Sequence, residues 1–575
     1  MTTAGTGQPN PRVPPRVARI LESERLPVLL LAGAMVVSVI VTLYLGRGAT
    51  FSGDEVAWIV DSPDLGGHIL DPHGGHLLLV TRLIYRAMLA VFGLDYFWYR
   101  LLTVLCVAGT VGLLFAYLKR RVKPMVALAP CLVLLFFGSD SLHTLQGNGI
   151  TIQISLMTGI AALLALDRRD GRGDAIAAVM LVIGVLTYTI SMAFVIGAAV
   201  TILLQGRSRS LWVPALPAAV FLAWRVWLLA TGFDNPGGDV TWSNLILAPS
   251  WIFQAAGASL AALTGLNFDF GSDSGSQSFV QAAGAALALT GFVLLGLRLR
   301  TEWTRATLWG VIIIACAMWT SQVLVQVELR GPADGRYMYP GALMVVLIAG
   351  EAMRRVRVTP QGLVAILAVA LALFGVNVML MRDAGNGYRL KAAVSKATVA
   401  AAELLATSPE LDWGPDNDVA LAWDREASLV GITKQSQPYG DVATPLTEVR
   451  NGGDGVAGLV DSTLIRGYGI TLAPTGQSTD RPNCETARAD GSGEIAVPLR
   501  VGRNLVRSDA GAAQVGLSRF EKQSSQPLGS LQPGQSAGIT ISKDAAPDPW
   551  KLHVSGTPEV TVCPAPDAGS DESAG

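Results

Sequence analysis

Long apolar runs alternate with short polar breaks through the first two thirds of the chain and stop near residue 381. A bilayer crossing takes roughly 20 predominantly apolar residues. Runs of this kind, several of them short, stand near 27–47, 99–118, 124–138, 151–166, 174–187, 189–205, 211–230, 279–297, 306–327, 338–350 and 361–380. The pattern predicts about eleven transmembrane helices. The stretch 174–205 is long for one span and barely enough for two, and its LTYT segment, 186–189, marks the expected turn. The short spans imply tilt or local thinning of the bilayer. A further apolar stretch, 247–264, is too interrupted for a span and reads as a re-entrant or interfacial helix.

Beyond 381 the pattern changes. Gly, Ser, Asp, Pro and Thr dominate, and short alternating runs such as EIAVPLRVG, AGITIS, WKLHVSG and EVTVCP read as strands between glycine and proline turns. They predict a β-sandwich packed against a helical segment at 390–405. The expected organisation is a disordered cytoplasmic tail at 1–26, a membrane domain at 27–380, a β-rich domain at 381–565 and a disordered tail at 566–575. The first span is too long for a typical signal core, so it is kept as a span.

Charge orients the spans. Basic clusters lie at 12–19, 119–123, 168–172, 207–209, 298–305 and 354–357. With eleven spans all six fall on one side, which the positive-inside rule makes cytoplasmic. Counting 247–264 as a span would put Arg298 and Arg300 outside, against that rule. Loops 48–98, 231–278 and 328–337, and everything after 380, then face outward from a multi-pass plasma-membrane protein. Only 15% of residues are charged, against about 25% in soluble proteins. The net charge is -1, and the basic residues are spent on topology, so nothing supports a nucleic-acid partner. Cys484 and Cys563 fall in the outer domain, where a disulfide is permitted.

The outer loops carry the candidate chemistry. FSGDEVAW places Asp54 and Glu55 side by side just after the first span. A carboxylate near low-dielectric lipid suits general-base work. The competing reading is capping, with Ser52 or Asp54 at the start of a helix beginning at Glu55. Three of the five histidines, His68, His73 and His76, follow within nine residues, among Asp61, Asp64 and Asp71. They could contact substrate or hold a divalent metal, but their spacing matches no strong metal motif; no cofactor is certain. The adjacent glycines permit close backbone approach to a phosphate or sugar, and Asp71-Pro72 reads as a helix start. The stretch 77–94 is amphipathic and is expected along the interface. There Arg82 and Arg86 share one side, to meet a lipid phosphate or to snorkel toward headgroups. His143, Gln146, Asn148 and Gln153 cluster at the start of the fourth span. In the loop ELRGPADGRYMYP, Arg336 and Tyr337 directly precede an apolar helix. An arginine there can pair with phosphate. Asp234, Asp239, Asp269 and Asp273 are outer carboxylates without an assigned use. Trp423, Tyr439 and Trp550 are candidates for stacking on sugar rings, or else belong to the sheet core.

The spans, the acidic pair and the amphipathic first outer loop together resemble the GT-C superfamily of integral-membrane glycosyltransferases. The layout is also similar to an actinobacterial branch that uses polyprenyl-phosphate sugars, arabinosyl or mannosyl transferases of cell-wall biogenesis, and carries a carbohydrate-binding-like β-domain. The resemblance implies a GT-C-like fold over 27–380. It implies Asp54, beside Glu55, as the residue that activates an acceptor hydroxyl, and Arg336 as the residue that meets the donor phosphate. The expected partners are a polyprenyl-phosphate sugar, a glycan or lipid-linked acceptor, and membrane lipid. His73, His76, Arg82, His143, Gln146 and Tyr337 are the accompanying candidates for substrate binding. The rival expectations are a transporter or flippase of lipid-linked substrate, a lipid-linked ligase or phosphotransferase, and a non-catalytic assembly protein of the cell envelope.

Overall fold

The computed structural model describes residues 25–233, 240–266, 274–302, 305–326, 331–411, 429–451, 455–477 and 483–564. The expected tail 566–575, the tail 1–26 up to residue 24, Trp423 and the four outer carboxylates Asp234, Asp239, Asp269 and Asp273 lie outside the described residues, while Arg25 and Leu26 already belong to the first helix. The chain forms two compact units. The first comprises Met1–Ala49, Asp64–Met88 and Tyr96–Gly387; the second comprises Thr50–Pro63, Leu89–Asp95 and Tyr388–Gly575.

The first unit is helical, and each of the eleven expected spans coincides with a helix. Arg25–Leu45, Tyr96–Leu118, Pro124–Leu135, Ile150–Leu166, Gly171–Thr187 and Ser191–Leu204 come first. Trp212–Thr231, Ser274–Glu302, Ala306–Gln326, Met338–Ala352 and Pro360–Ala406 follow. The break at Tyr188–Ile190 falls at the end of the LTYT segment, as its turn chemistry predicts. Among the described residues, eight helices are long and apolar enough to cross a membrane. Seven are expected spans; the eighth is Trp242–Leu263, the segment read as re-entrant.

That eighth helix packs on Ala306–Gln326, Met338–Ala352 and, most extensively, Ser274–Glu302. Trp251 donates to Gln322 (3.4 Å), near the last turn of Ala306–Gln326. Ser259 fills the space left by the missing side chain of Gly341, near the first turn of Met338–Ala352. Those two helices are consecutive and antiparallel, so both contacts lie at one end of the unit. Phe253 also stacks on Phe292 (6.0 Å), well inside Ser274–Glu302, and length and composition make Trp242–Leu263 a candidate span.

The basic breaks gather at the opposite end. Glu351, fully buried, accepts from Arg121 Nε (2.5 Å), the Tyr117 hydroxyl (2.7 Å) and the Thr307 hydroxyl (2.9 Å). Arg121 also forks onto both oxygens of Asp167 (2.9 and 3.0 Å). Arg305 donates to the Glu351 carbonyl (2.7 Å), and Arg298 to the carbonyls of Ala352 and Arg354 (2.7 and 2.6 Å). Asp174 takes Arg207 and the Ser210 hydroxyl, each at 2.6 Å. Buried charges are tolerated only when paired and hydrogen-bonded. Here the pairing also ties five inter-helical breaks into one face.

The second unit holds two antiparallel sheets. One has strand order β1-β7-β4-β9-β2, the other β3-β8-β5-β6. In chain order these are Ala473–Thr475, Glu485–Arg488, Glu494–Pro498, Gly502–Ser508, Ala513–Ser518, Gln526–Leu531, Ser536–Ile541, Lys551–Ser555 and Glu559–Pro564. Alternation drives the pairing: Ile495, Val497, Leu552 and Val554 of one sheet and Val506, Ile539, Val560 and Val562 of the other point into a single core. Ala397, Ala401, Leu404 and Leu405, from the polar part of Pro360–Ala406, close that core. The expected helix at 390–405 therefore packs on the sandwich. Cys484 and Cys563 are bonded and staple β2 to β9.

Candidate functional site

The loop that follows the first span contributes to both units, and its polar residues divide accordingly. Thr50–Pro63, with the acidic pair, belongs to the second unit; Asp64–Met88, with the histidines, belongs to the first.

In the second unit the helix Asp54–Asp61 starts one residue earlier than the capping argument places it. Its N-cap is Gly53 at φ 62°, a left-handed conformation that favours glycine. The N-cap position thus falls on Gly53, between the two residues expected there, Ser52 and Asp54. Glu55 instead reaches back, and its Oε2 accepts from the Ser52 amide (3.4 Å). The two carboxylates have opposite settings. Asp54 is exposed, whereas Glu55 is fully buried. Adjacent residues on a helix turn cannot share a face, and Val56, Trp58 and Ile59 carry Glu55 into the interior with them. A shallow, mainly apolar cleft of about 300 Å3 lies beside this segment, lined by Thr50, Phe51, Val56, Ser395, Lys396, Val399, Ile432 and Val442.

In the first unit the expected helix start at Asp71-Pro72 is absent. His73 and His76 exchange both backbone hydrogen bonds (3.1 and 3.0 Å) around Gly74 and Gly75, at φ 54° and 82°. Two consecutive positive φ values define a tight reverse turn that glycine alone enters without strain. The glycines thus serve this turn. It delivers His76 to the break at Tyr188–Ile190: Nδ1 bonds the Thr189 hydroxyl, and the ring lies tilted by 39° against Tyr188, centroids 4.1 Å apart. His68 pairs with Asp71 (2.7 Å). Among the described residues no three of His, Cys, Asp and Glu come together as a metal set.

Arg82 and Arg86 part company. On the helix Leu79–Phe92, Thr81, Arg82, Tyr85 and Leu89 are buried, whereas Leu83, Arg86 and Val91 are exposed. Arg82 donates Nη1 to the His68 carbonyl (2.6 Å), so it folds inward and does not snorkel. The apolar periodicity placed both arginines on one side. The hydrogen bond to the loop decides which of them turns in.

A second polar group stands at the end opposite the basic face. Asp140 is buried and accepts three N–H groups: the His143 amide (3.2 Å), His143 Nδ1 (2.9 Å) and the Tyr339 amide (3.1 Å). The D-x-x-H spacing puts carboxylate and imidazole on one face of the turn Leu142–Leu145. The Tyr339 amide lies at the start of Met338–Ala352, next to the turn Gly335–Tyr337 that carries Arg336 and Tyr337. That turn packs on Leu142–Leu145. Asp334 accepts the Arg336 amide (3.1 Å), while Arg336 Nε stands 3.5 Å from the same oxygen, beyond a good hydrogen bond. Among the described residues, Arg336 Nε and the Ser139 hydroxyl are buried polar atoms with no hydrogen-bond partner. Gln146 and Gln153 are buried nearby, Gln153 donating to the His143 carbonyl (3.3 Å). Arg100 ties the group to neighbouring helices, donating to the carbonyls of Leu145 (2.8 Å) and Thr42 (3.0 Å). The structure therefore brings together His143, Gln146, Arg336 and Tyr337 of the expected residues. It adds Asp140 and Ser139, which sequence reading passed over although GSDSLH shows the spacing.

Of the sugar-stacking candidates, Trp550 is buried beneath the Arg519 guanidinium (5.5 Å) and belongs to the core. Tyr439 is partly exposed, and its carbonyl accepts from the Leu94 amide (2.8 Å). Neither a protein-family model nor a curated protein matches this chain.

Proposed function

We propose that this protein is a membrane glycosyltransferase that moves a sugar from a polyprenyl-phosphate donor to a hydroxyl of a cell-envelope glycan or lipid-linked acceptor. The basic face is cytoplasmic, and the reaction takes place at the opposite end. One observation carries the reading. Arg336, whose Nε makes no hydrogen bond and only a long ion pair to Asp334 (3.5 Å), rides on a turn packed against the buried Asp140–His143 pair, at the end of the helical unit away from the basic face. Polar groups buried at the mouth of a membrane bundle mark a substrate path more often than a structural need. An arginine there matches the charge that develops on a departing phosphate.

In the reaction the acceptor oxygen attacks the anomeric carbon and the sugar–phosphate bond breaks. The phosphate leaves with the electron pair, and a carboxylate takes the acceptor proton, the role proposed for Asp54. The test supplies purified protein with labelled polyprenyl-phosphoryl mannose or polyprenyl-phosphoryl arabinose and an envelope glycan extract. Label enters the glycan with wild type. It falls by about a hundredfold with Asp54→Asn, the typical loss of a general base, and by a similar factor with Arg336→Gln. Undiminished transfer by Asp54→Asn removes the base from the mechanism.

A further inference from the structure

We infer that the Asp140–His143 pair is a hydroxyl-binding dyad, which holds the sugar of a lipid-phosphate ligand beside the arginine that takes its phosphate. The inference rests on the transferase reading and names a residue set for it that includes Asp140 and Ser139.

The argument starts from the proton inventory. Three N–H groups point at the Asp140 carboxylate, from the His143 and Tyr339 amides and from His143 Nδ1. A carboxylate flanked this way is an acceptor only, so the proton of the shared bond sits on Nδ1. That assigns the Nδ1 proton and leaves Nε2 as the ring's second polar atom. The ring is also held in place. Asp140 is pinned by an amide from a second helix (3.1 Å), Thr144 donates to the Asp140 carbonyl (2.9 Å), and the His143 backbone lies so close to Gly149 that any side chain there would collide with it. An imidazole this constrained is costly to build for packing alone, because an apolar side chain would fill the space without desolvating a carboxylate.

Two independent observations turn this from a buried pair into a ligand site. The Ser139 hydroxyl, on a residue more than nine-tenths buried, has no hydrogen-bond partner, and Arg336 Nε, on the turn packed over the dyad, has only a long ion pair to Asp334 (3.5 Å). Buried polar groups left unsatisfied are rare in native proteins, and a missing ligand is one of the few explanations. The group therefore offers one cationic donor, one hydroxyl of either polarity and one imidazole nitrogen. That set matches a phosphate carrying a polyol: guanidinium to phosphate, imidazole to a sugar hydroxyl. A bare lipid phosphate satisfies only the first.

The full-length protein in nanodiscs is titrated with three short-chain probes: polyprenyl phosphate, polyprenyl-phosphoryl mannose and polyprenyl-phosphoryl arabinose. Wild type binds at least one sugar-bearing probe about tenfold more tightly than the bare phosphate, the worth of one good hydrogen bond. His143→Gln and Asp140→Asn bring that ratio to about one and leave the affinity for polyprenyl phosphate unchanged, which also reports that each variant is folded. Arg336→Gln weakens all three probes together. Retention of the sugar preference by both dyad variants overturns the inference while the transferase reading stands. The same holds if wild type binds all three probes alike. Failure of wild type to bind any probe defeats both.

Discussion

Glu403 shows how a single residue reports its surroundings. It lies on the polar part of the helix Pro360–Ala406, in the second unit, beyond the apolar stretch that ends near 381. Burial, reinforced by the neighbouring Asp441 carboxylate, pushes its carboxyl up to about 7 from an ordinary value of 4.5. The folded state then holds a proton between those two values that the unfolded chain has released. Its stabilising contribution is fully present below 4.5 and is lost as pH rises through 7. Thermal unfolding of the full chain, followed by the fluorescence of buried Trp550, is expected to show a transition that falls in temperature between pH 5 and pH 8. Glu403→Gln removes that fall and unfolds higher than wild type at pH 8. A variant that keeps the wild-type slope shows that the pair does not titrate as described. Residue-scale facts such as this were illegible in the sequence. Glu403 meets Asp441 only because the intervening chain folds back, and no local spacing announces it.

At the scale of elements, the apolar pattern located the helices because burial in lipid demands continuous hydrophobicity whatever the neighbours are. It placed strands β3, β7, β8 and β9 through their alternation. It passed over β5, β6 and the helices Leu429–Tyr439 and Val456–Gly467, whose glycines and polar residues mask the period. What it could not supply is how helices meet. Ser191–Leu204 crosses Ala306–Gln326 at Gly197 and Gly310. A Cβ on Gly310 would stand 2.0 Å from the Thr201 hydroxyl, and one on Gly197 2.2 Å from Ile314. Small residues at such a crossing let backbones approach where no hydrophobic effect drives association. Gly310→Leu is expected to destabilise the helical unit by about 1–3 kcal/mol, read as a lower melting temperature in detergent with the pH response of the second unit intact. An unchanged melt means the helices part more easily than this contact implies. In the sandwich, Cys484 and Cys563 are 79 residues apart in sequence. Replacing both by serine is expected to cost about 2–5 kcal/mol, measurable as earlier loss of Trp550 fluorescence on denaturant titration. A coincident curve denies the bridge its role.

For the whole molecule, the charge rule was the most productive reading. The basic breaks at 119–123, 168–172, 207–209, 298–305 and 354–357 meet at one end of the helical unit, and buried Glu351 and Asp174 and partly buried Asp167 hold them there. Positive charge in short loops carries topological information that survives folding. The candidate site was legible only in pieces. His143, Gln146, Arg336 and Tyr337 stood out as polar groups beside apolar helices, and the structure gathers them. Asp140 and Ser139 did not stand out, because their value lies in whom they face. The acidic pair belongs to a different unit from these residues.

The central claim is that the protein breaks a sugar–phosphate bond, as distinct from carrying an intact lipid-linked sugar across the bilayer. The direct measurement is the fate of a doubly labelled polyprenyl-phosphoryl sugar in proteoliposomes containing the protein and an acceptor glycan. The account predicts that bare polyprenyl phosphate and glycosylated acceptor appear together in equal amounts, and only when protein is present. A donor that keeps its sugar, whether it stays in place or changes leaflet, contradicts it.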